Sequence, residues 1–374
     1  MYFVIGADIV PTSSNVQLFQ TGNSRSIVGE ELEEFLKDAE YRVFNIEVPL
    51  TNQETPICKY GPNLLAPTAA VAGYKELGID LLTLANNHIL DQGEQGLIST
   101  IDVLESVGIC HVGAGKNLAE ASEPFVFTFA GKKIGVYACT EHEFSFATKE
   151  MPGANPFDPL YSLDCVEQLR KKVDYVIVLY HGGKEHFRYP SPNLQKVCRR
   201  FVEKGANLIV CQHSHCIGCE EIYKGATIVY GQGNFLFDYN DNVFWNTSLL
   251  ISVDEQFDIA YIPLKKQDNG VRIASDEQKQ TIISSFQERS LEITRDGFID
   301  NKYAEFSREF TDFYLSAFSG RKSMLHKVIN KITKGKWHRL YLNKTYNEHV
   351  KIQITNYINC ESHRELVLKM LEKG

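Results

Sequence analysis

The chain is predicted to be an α/β layered protein with a mainly helical C-terminal extension, on three observations. Up to about residue 262, short apolar strands alternate with amphipathic helices, the pattern of sheets covered by helices. Hydrophobic residues make up 43% and charged residues 23% of a 374-residue chain, as in a soluble globular protein too long for a single core. Beyond Lys265 the strand signals fade, and residues 302–318 and 362–372 carry helical periodicity instead.

The elements follow in order. Tyr2–Gly6 opens the chain as an apolar strand, and Glu30–Lys37 reads as a helix before the strand Val43–Ile46. Thr68–Leu77 and Gly96–Val107 are helices flanking the strand Leu81–Leu84. Phe125–Phe129 and Ile134–Ala138 are strands, and Leu163–Lys172 is the next helix. Tyr175–Tyr180 is an apolar strand; Pro192–Lys204 is a helix with a basic last turn and Gly205 as its stop. Leu208–Val210, Thr227–Tyr230, Leu249–Val253 and Ile259–Pro263 complete the strands. KKQDNG and SDEQKQ are polar and turn-rich and read as a linker, which sets the expected domains at 1–264 and 265–374.

The net charge of −8 leaves no broad basic surface and argues against nucleic acid as a partner. One local exception stands out. Residues 321–344 hold eight Lys or Arg and no acid, either a solvated helix face or a surface for an anionic partner such as a membrane. The opening MYFVIGADIV has no basic leader region or cleavage site, and no stretch reads as a transmembrane span. Nine scattered cysteines, an odd number, then read as reduced thiols, so the expected location is cytoplasmic or membrane-peripheral.

Open α/β sheets build their sites at the carboxyl ends of strands, and five strands here end in polar residues of one kind. They finish in Asp8; in Asn45 and Glu47; in Asn86, Asn87, His88 and Asp91; in His181; and in His213 and His215. Singly, each has a plainer reading as a turn former, a helix cap or a buried hydrogen-bonding group. Together, carboxylates, carboxamides and imidazoles converging on one edge would repel or stay unsatisfied without a cation. They form the mixed donor set of Zn²⁺, Mn²⁺ or Fe.

The stretch CQHSHCIGCE at 211–220 also contains a C-x-x-C pair, Cys216 and Cys219. A structural zinc site needs about four ligands, as a rule in two separated pairs, and no second pair is present. The histidines are the functional candidates there, and the cysteines are incidental.

The ordered motifs NIEVPLT, LANNHILDQGEQGL, HGGKE, and CQHSH followed by IVYGQGNFLFD resemble those of the CapA-type bacterial capsule and poly-γ-glutamate biosynthesis family. That family is related to the calcineurin-like metallophosphoesterases. The resemblance covers residues 1 to about 262 and implies a metallophosphatase-like four-layer α/β/β/α sandwich. It implies one or two divalent metals, with Asp8, Glu47 and His215 around one and Asn87, His181 and His213 around the other, Glu47 bridging. His88 would be the general acid and Asp91 its orienting partner, while Asn45, Glu185, Asn234 and Asp238 are assigned to substrate contact.

The chain departs from the phosphoesterase pattern at Val10, where a histidine is usual, and at Gly182, Cys211 and Ser214. The expected function is therefore a metal-dependent hydrolase acting on a phosphoester or a carboxylate-rich polymer in capsule or envelope polymer production, alongside capsule-synthesis partner proteins. The alternative is a non-catalytic accessory that binds an anionic polymer or a synthase partner.

Overall fold

Side-chain alternation sets the layering. In the strand β1 (Tyr2–Ile9), Phe3 and Ile5 enter one core and Val4 another, as the pleat requires. The computed structural model describes residues 1–237, 242–319 and 324–371, with the backbone alone for 324–327. The chain forms two compact units, Met1–Asp300 and Asn301–Gly374.

The first sheet joins β1 to β2 (Tyr41–Ile46), β3 (Leu81–Thr83) and β4 (Cys110–Val112), all parallel. Short strands β5 (Ala114–Gly115) and β8 (Gly153–Ala154) make a separate two-stranded ladder. The second sheet has the order β11-β12-β10-β9-β7-β6. Its members are β6 (Phe125–Phe129), β7 (Lys132–Thr140), β9 (Tyr175–His181), β10 (Leu208–Gln212), β11 (Glu220–Tyr223) and β12 (Ala226–Val229). β13 (Asn234–Leu236) lies parallel to β1, and β14 (Thr247–Asp254), β15 (Ile259–Gln267) and β16 (Gly270–Ile273) extend the first sheet antiparallel.

Helices cover both outer faces. α1 (Val16–Gln20), α2 (Ser24–Asp38), α3 (Val71–Glu76) and α4 (Gly93–Ser106) pack Phe19, Leu32, Tyr74 and Leu97 against Phe44, Ile46 and Leu82 of the first sheet. A short α5 (Leu118–Ala121) precedes β6. α6 (Ser162–Arg170) and α7 (Pro192–Glu203) pack Val166, Leu169 and Phe201 on Val176, Val178 and Ile209 of the second. Between the sheets lie Phe3, Ile5, Val43 and Ile251 on one side and Phe127, Val136, Ile177, Leu179 and Val210 on the other. The expected four-layer α/β/β/α sandwich is the architecture found.

Residues 265–300, read from sequence as a linker and the start of the extension, belong with the first unit. β15 runs on to Gln267, which pairs with Gly270 across a two-residue turn in which Asp268 is left-handed (φ +53°). Ser275 and Gln278 form a capping box that starts α8 (Asp276–Glu292), whose Phe286 packs with Ile217 and Leu249. The polar run thus marks a hairpin and a helix start.

The second unit holds α10 (Thr311–Phe318), α11 (Met324–Ile332), α12 (Lys336–Thr345), α13 (Glu348–Asn359) and α14 (Glu361–Leu371), and α9 (Phe298–Glu309) begins at the division between units. No helix among the described residues is long and apolar enough to cross a membrane.

Candidate metal centre

The same alternation carries polar residues to the carboxyl ends of the strands on the face between the sheets. Val43 faces that core, so Asn45 and Glu47 follow on its side; Ile177 and Leu179 do, so His181 follows. Register then aligns them: Asp8 is opposite Asn45, Asn45 opposite Thr83, and His181 opposite Gln212.

Asp8 needs a further device. Strict alternation would place it with Val4 on the helix-covered face, but the ladder shifts register between Ile5 and Asp8. After the shift Ala7 and Ile9 join Val4's core, and Asp8 turns toward the site, a re-aiming that β-bulges commonly provide. Gly6 sits at the shift, where a Cβ would meet the Phe44 ring at 1.9 Å.

Two groups of donors result, sharing Glu47: Glu47 with His181 and His213, and Asp8 with Glu47 and His215. In the first, His181 Nε2 lies 3.1 Å from Glu47 Oε1, 3.1 Å from Asn87 Oδ1 and 3.2 Å from His213 Nδ1. One ring nitrogen cannot satisfy three such neighbours through a single proton. Donors bound to one ion at about 2.1 Å stand roughly 3.0–3.4 Å apart in octahedral or tetrahedral arrangement, so this spacing fits a shared cation. In the second group the donor atoms of Asp8, Glu47 and His215 lie within 4.8 Å of one another.

Asp8 Oδ2 and both Glu47 oxygens are buried without a hydrogen-bond partner, an arrangement costly for anions unless a cation is present. The electrostatics point the same way. Burial, then the neighbouring Glu47, lifts the Asp8 carboxyl to about 7. Burial also raises Glu47, pushes His181 down to about 4, and holds His213 well below the usual imidazole range. All four are driven toward their neutral forms, and a divalent ion would favour the carboxylate and neutral-imidazole forms that ligate it. The residues present therefore fit such an ion.

The histidine loop is strained. His213 and His215 adopt φ of +79° and +52°, left-handed values that cost a non-glycine residue roughly 1–2 kcal/mol and that cluster at functional sites.

Around these groups lies a shell of positioning contacts. Asn45 is fully buried: it donates to Asp8 Oδ1 at 2.7 Å and accepts from Thr83 and Asn86, so its place is behind a candidate ligand rather than at the cleft surface. Asn234 Oδ1 faces His215 Nδ1 at 2.8 Å, the orienting contact common behind metal-bound imidazoles. His88 Nδ1 meets Asp91 Oδ2 at 2.6 Å. Glu185 is exposed on the turn after β9; Asp238 lies outside the described residues.

Three contributors escaped the sequence reading. Lys59, its side chain 2% exposed, pairs with Asp91 and reaches within 3.2 Å of His88 Nδ1. It comes from a coil 29 residues before His88, and no spacing rule marks it. Glu143 accepts from Asn87 Nδ2 at 3.0 Å, which turns Asn87 Oδ1 toward His181. It follows the end of β7, where the strand-end rule applied to TEHEF would have found it. Trp245 packs on the His215 ring at 4.5 Å and donates to His186 Nε2; no motif announced it.

Cys216 and Cys219 are buried free thiols, raised by burial, and neither belongs to a candidate metal group among the described residues.

A family model described as bacterial capsule synthesis protein PGA_cap matches residues 4–239. The chain is 32% identical over 213 residues to the capsule biosynthesis protein CapA of Bacillus anthracis, covering 54% of this chain and 52% of that one. It is 29% identical over 211 residues to the PGA biosynthesis protein CapA of Bacillus subtilis (strain 168), covering 55% and 56%. The chain thus spans about half the length of these curated relatives. Among solved structures, a phosphatase of Mycoplasma pneumoniae aligns with a TM-score of 0.44 at 14% identity, over 72% of this chain and 94% of that one.

Proposed function

The chain belongs to the bacterial capsule synthesis protein (PGA_cap) family, and from that premise we propose that it is a divalent-metal-dependent hydrolase. Its substrate is a phosphoester, or an amide within a carboxylate-rich polymer, in capsule or envelope polymer production. The observation that carries the reading is the set of three buried carboxylate oxygens without a hydrogen bond, on Asp8 and Glu47, among His181, His213 and His215.

Asn87, His181 and His213 would hold one ion and Asp8 and His215 a second, with Glu47 common to both. A divalent ion of the Zn, Mn or Fe type bound there supplies Lewis-acid charge to a substrate oxygen and lowers the pKa of water. The chain's own residues supply the rest. His88 directs Nδ1 to Asp91, which leaves Nε2 to hold the proton that a departing oxygen or nitrogen takes. Lys59 ties down the other Asp91 oxygen, and Glu143 and Asn234 orient Asn87 and His215.

One observation favours a second reading. Val10, where phosphoesterases place a histidine, is a buried apolar residue of the first core, so the Asp8 group is short of one imidazole. In that reading the chain is a non-catalytic accessory that binds an anionic polymer or a synthase subunit.

Elemental analysis of the purified chain beside His181→Ala separates the two, after dialysis in metal-free buffer and reloading with Mn²⁺ or Zn²⁺. The hydrolase reading expects one or two ions in the parent, at least one fewer in the variant, and metal-dependent turnover in a screen of phosphoesters and γ-glutamyl amides. A chain that holds no metal in either form would leave the accessory reading standing.

A further inference from the structure

The second unit differs in charge from the rest of the chain. Residues 301–374 hold 14 Lys and Arg against 7 Asp and Glu, within a chain whose net charge is −8. The surplus is concentrated: from Val328 to Lys344 there are five basic residues and no acid. Arg339 is paired with Asp312 at 3.5 Å. Lys331, Lys334, Lys336 and Lys344 have no carboxylate partner among the described residues.

Two of these lysines, Lys334 and Lys336, lie beside apolar side chains at the tip of a helical hairpin, and Lys331 immediately precedes Ile332 in the chain. α11 ends at Ile332, Gly335 turns the chain in the left-handed conformation (φ +83°), and α12 begins at Lys336. Ile332, Thr333, Lys334, Lys336, Trp337 and Leu340 line one shallow depression. Ile332 is 74% and Leu340 70% exposed, and Val328, one turn before Ile332, is half exposed. Trp337 stacks on Tyr341 at the same end of α12.

A tip of this composition is left unsatisfied in two ways, and the occupant must answer both. Unpaired lysines call for anions; exposed aliphatic side chains call for an apolar medium. A soluble polyanion meets only the first demand. A second copy of the tip would meet the second while bringing like charges together. An anionic lipid surface meets both, with aliphatic groups entering the acyl boundary, tryptophan at the headgroup level and lysine ammonium groups reaching the lipid phosphates.

We propose that the α11–α12 tip is a peripheral attachment site for an anionic membrane surface. It is independent of whether the metal centre turns over substrate.

The test uses the full chain and vesicles of phosphatidylcholine with or without one-third phosphatidylglycerol, at physiological salt. Co-sedimentation is expected with the anionic vesicles only, and brominated lipid is expected to quench the protein's tryptophan fluorescence through Trp337, since Trp245 is buried. Each lysine near such a surface is worth about a fivefold change in partition, so replacing Lys331, Lys334 and Lys336 together with Ala is expected to weaken binding roughly a hundredfold. Ile332→Ser with Leu340→Ser is expected to weaken it at least about tenfold, from the buried aliphatic carbons lost.

Several results would overturn the proposal. They are absence of binding to anionic vesicles, equal binding to pure phosphatidylcholine, or binding unchanged in either variant. Binding of soluble poly-glutamate that is as tight as vesicle binding and indifferent to the two serines would identify a polyanion site instead. Loss of self-association in the serine variant, without vesicle binding in the parent, would identify a contact between copies.

Discussion

Replacing Asp8 by Asn is expected to stabilise the metal-free chain and to reduce its stabilisation by metal. Asp8 is fully buried, and its carboxyl is lifted from 3.8 to about 7 by burial and by Glu47. The folded chain therefore holds a proton between those values that the unfolded chain has released, and its stability falls as pH rises through that window. Above pH 7 the loss levels off at roughly 4 kcal/mol, at about 1.4 kcal/mol for each tenfold change in proton activity.

The introduced amide keeps the Asn45 hydrogen bond by its oxygen and can donate to Glu47, so the neutral side chain escapes that loss. His181, held near 4 by burial, contributes in the opposite sense between roughly pH 4 and 6.5. Asp8 is the largest charge that raises His181, so its replacement lowers His181 further; at pH 8 the imidazole is neutral in parent and variant alike, and the comparison there is free of it.

Urea unfolding followed by circular dichroism, at pH 5 and pH 8 with and without Mn²⁺, reads the outcome. The chelated variant should exceed the chelated parent by roughly 2–4 kcal/mol at pH 8 and by much less at pH 5. Added metal should raise the parent's stability more than the variant's, since the variant keeps only the group of Glu47, His181 and His213 intact. A variant less stable than the metal-free parent at pH 8, or an advantage independent of pH, would refute the view of Asp8 as a carboxylate awaiting a cation.

Three further outcomes follow from the same geometry. Glu143→Ala frees the Asn87 amide to rotate and is expected to weaken metal binding about 10–100-fold by titration calorimetry; unchanged affinity would remove Glu143 from the shell. His88→Ala should retain the parent's metal content while abolishing turnover, and loss of an ion would recast His88 as a ligand. Cys216 and Cys219 exchanged for Ser should leave metal content unchanged, whereas loss of stoichiometric zinc would revive a role for the thiols.

Much of this was legible in the sequence. Apolar runs such as Tyr175–Tyr180 and amphipathic stretches such as Pro192–Lys204 revealed the layers, because strand and helix periods follow from local backbone geometry. The strand-end rule gathered Glu47, Asn87, His181, His213 and His215 for the same reason: parallel strands deliver their carboxyl ends to one edge whatever their separation in sequence.

The rest depended on tertiary structure. Period-two alternation alone would send Asp8 to the helix-covered face, and only the register shift at Gly6, beside the Phe44 ring, turns it toward Glu47. Asn45 and Asn234 read as cleft residues until packing showed them hydrogen-bonded behind Asp8 and His215. Lys59 reaches the centre from a coil and Trp245 from a short 3-10 helix, Val243–Asn246. Residues 265–300 joined the first unit because a hairpin and a capped helix found partners there. Periodicity is a property of neighbours along the chain and survives in the sequence; which polar atom stands behind which, and on which face a bulge leaves it, is decided by contacts between segments far apart.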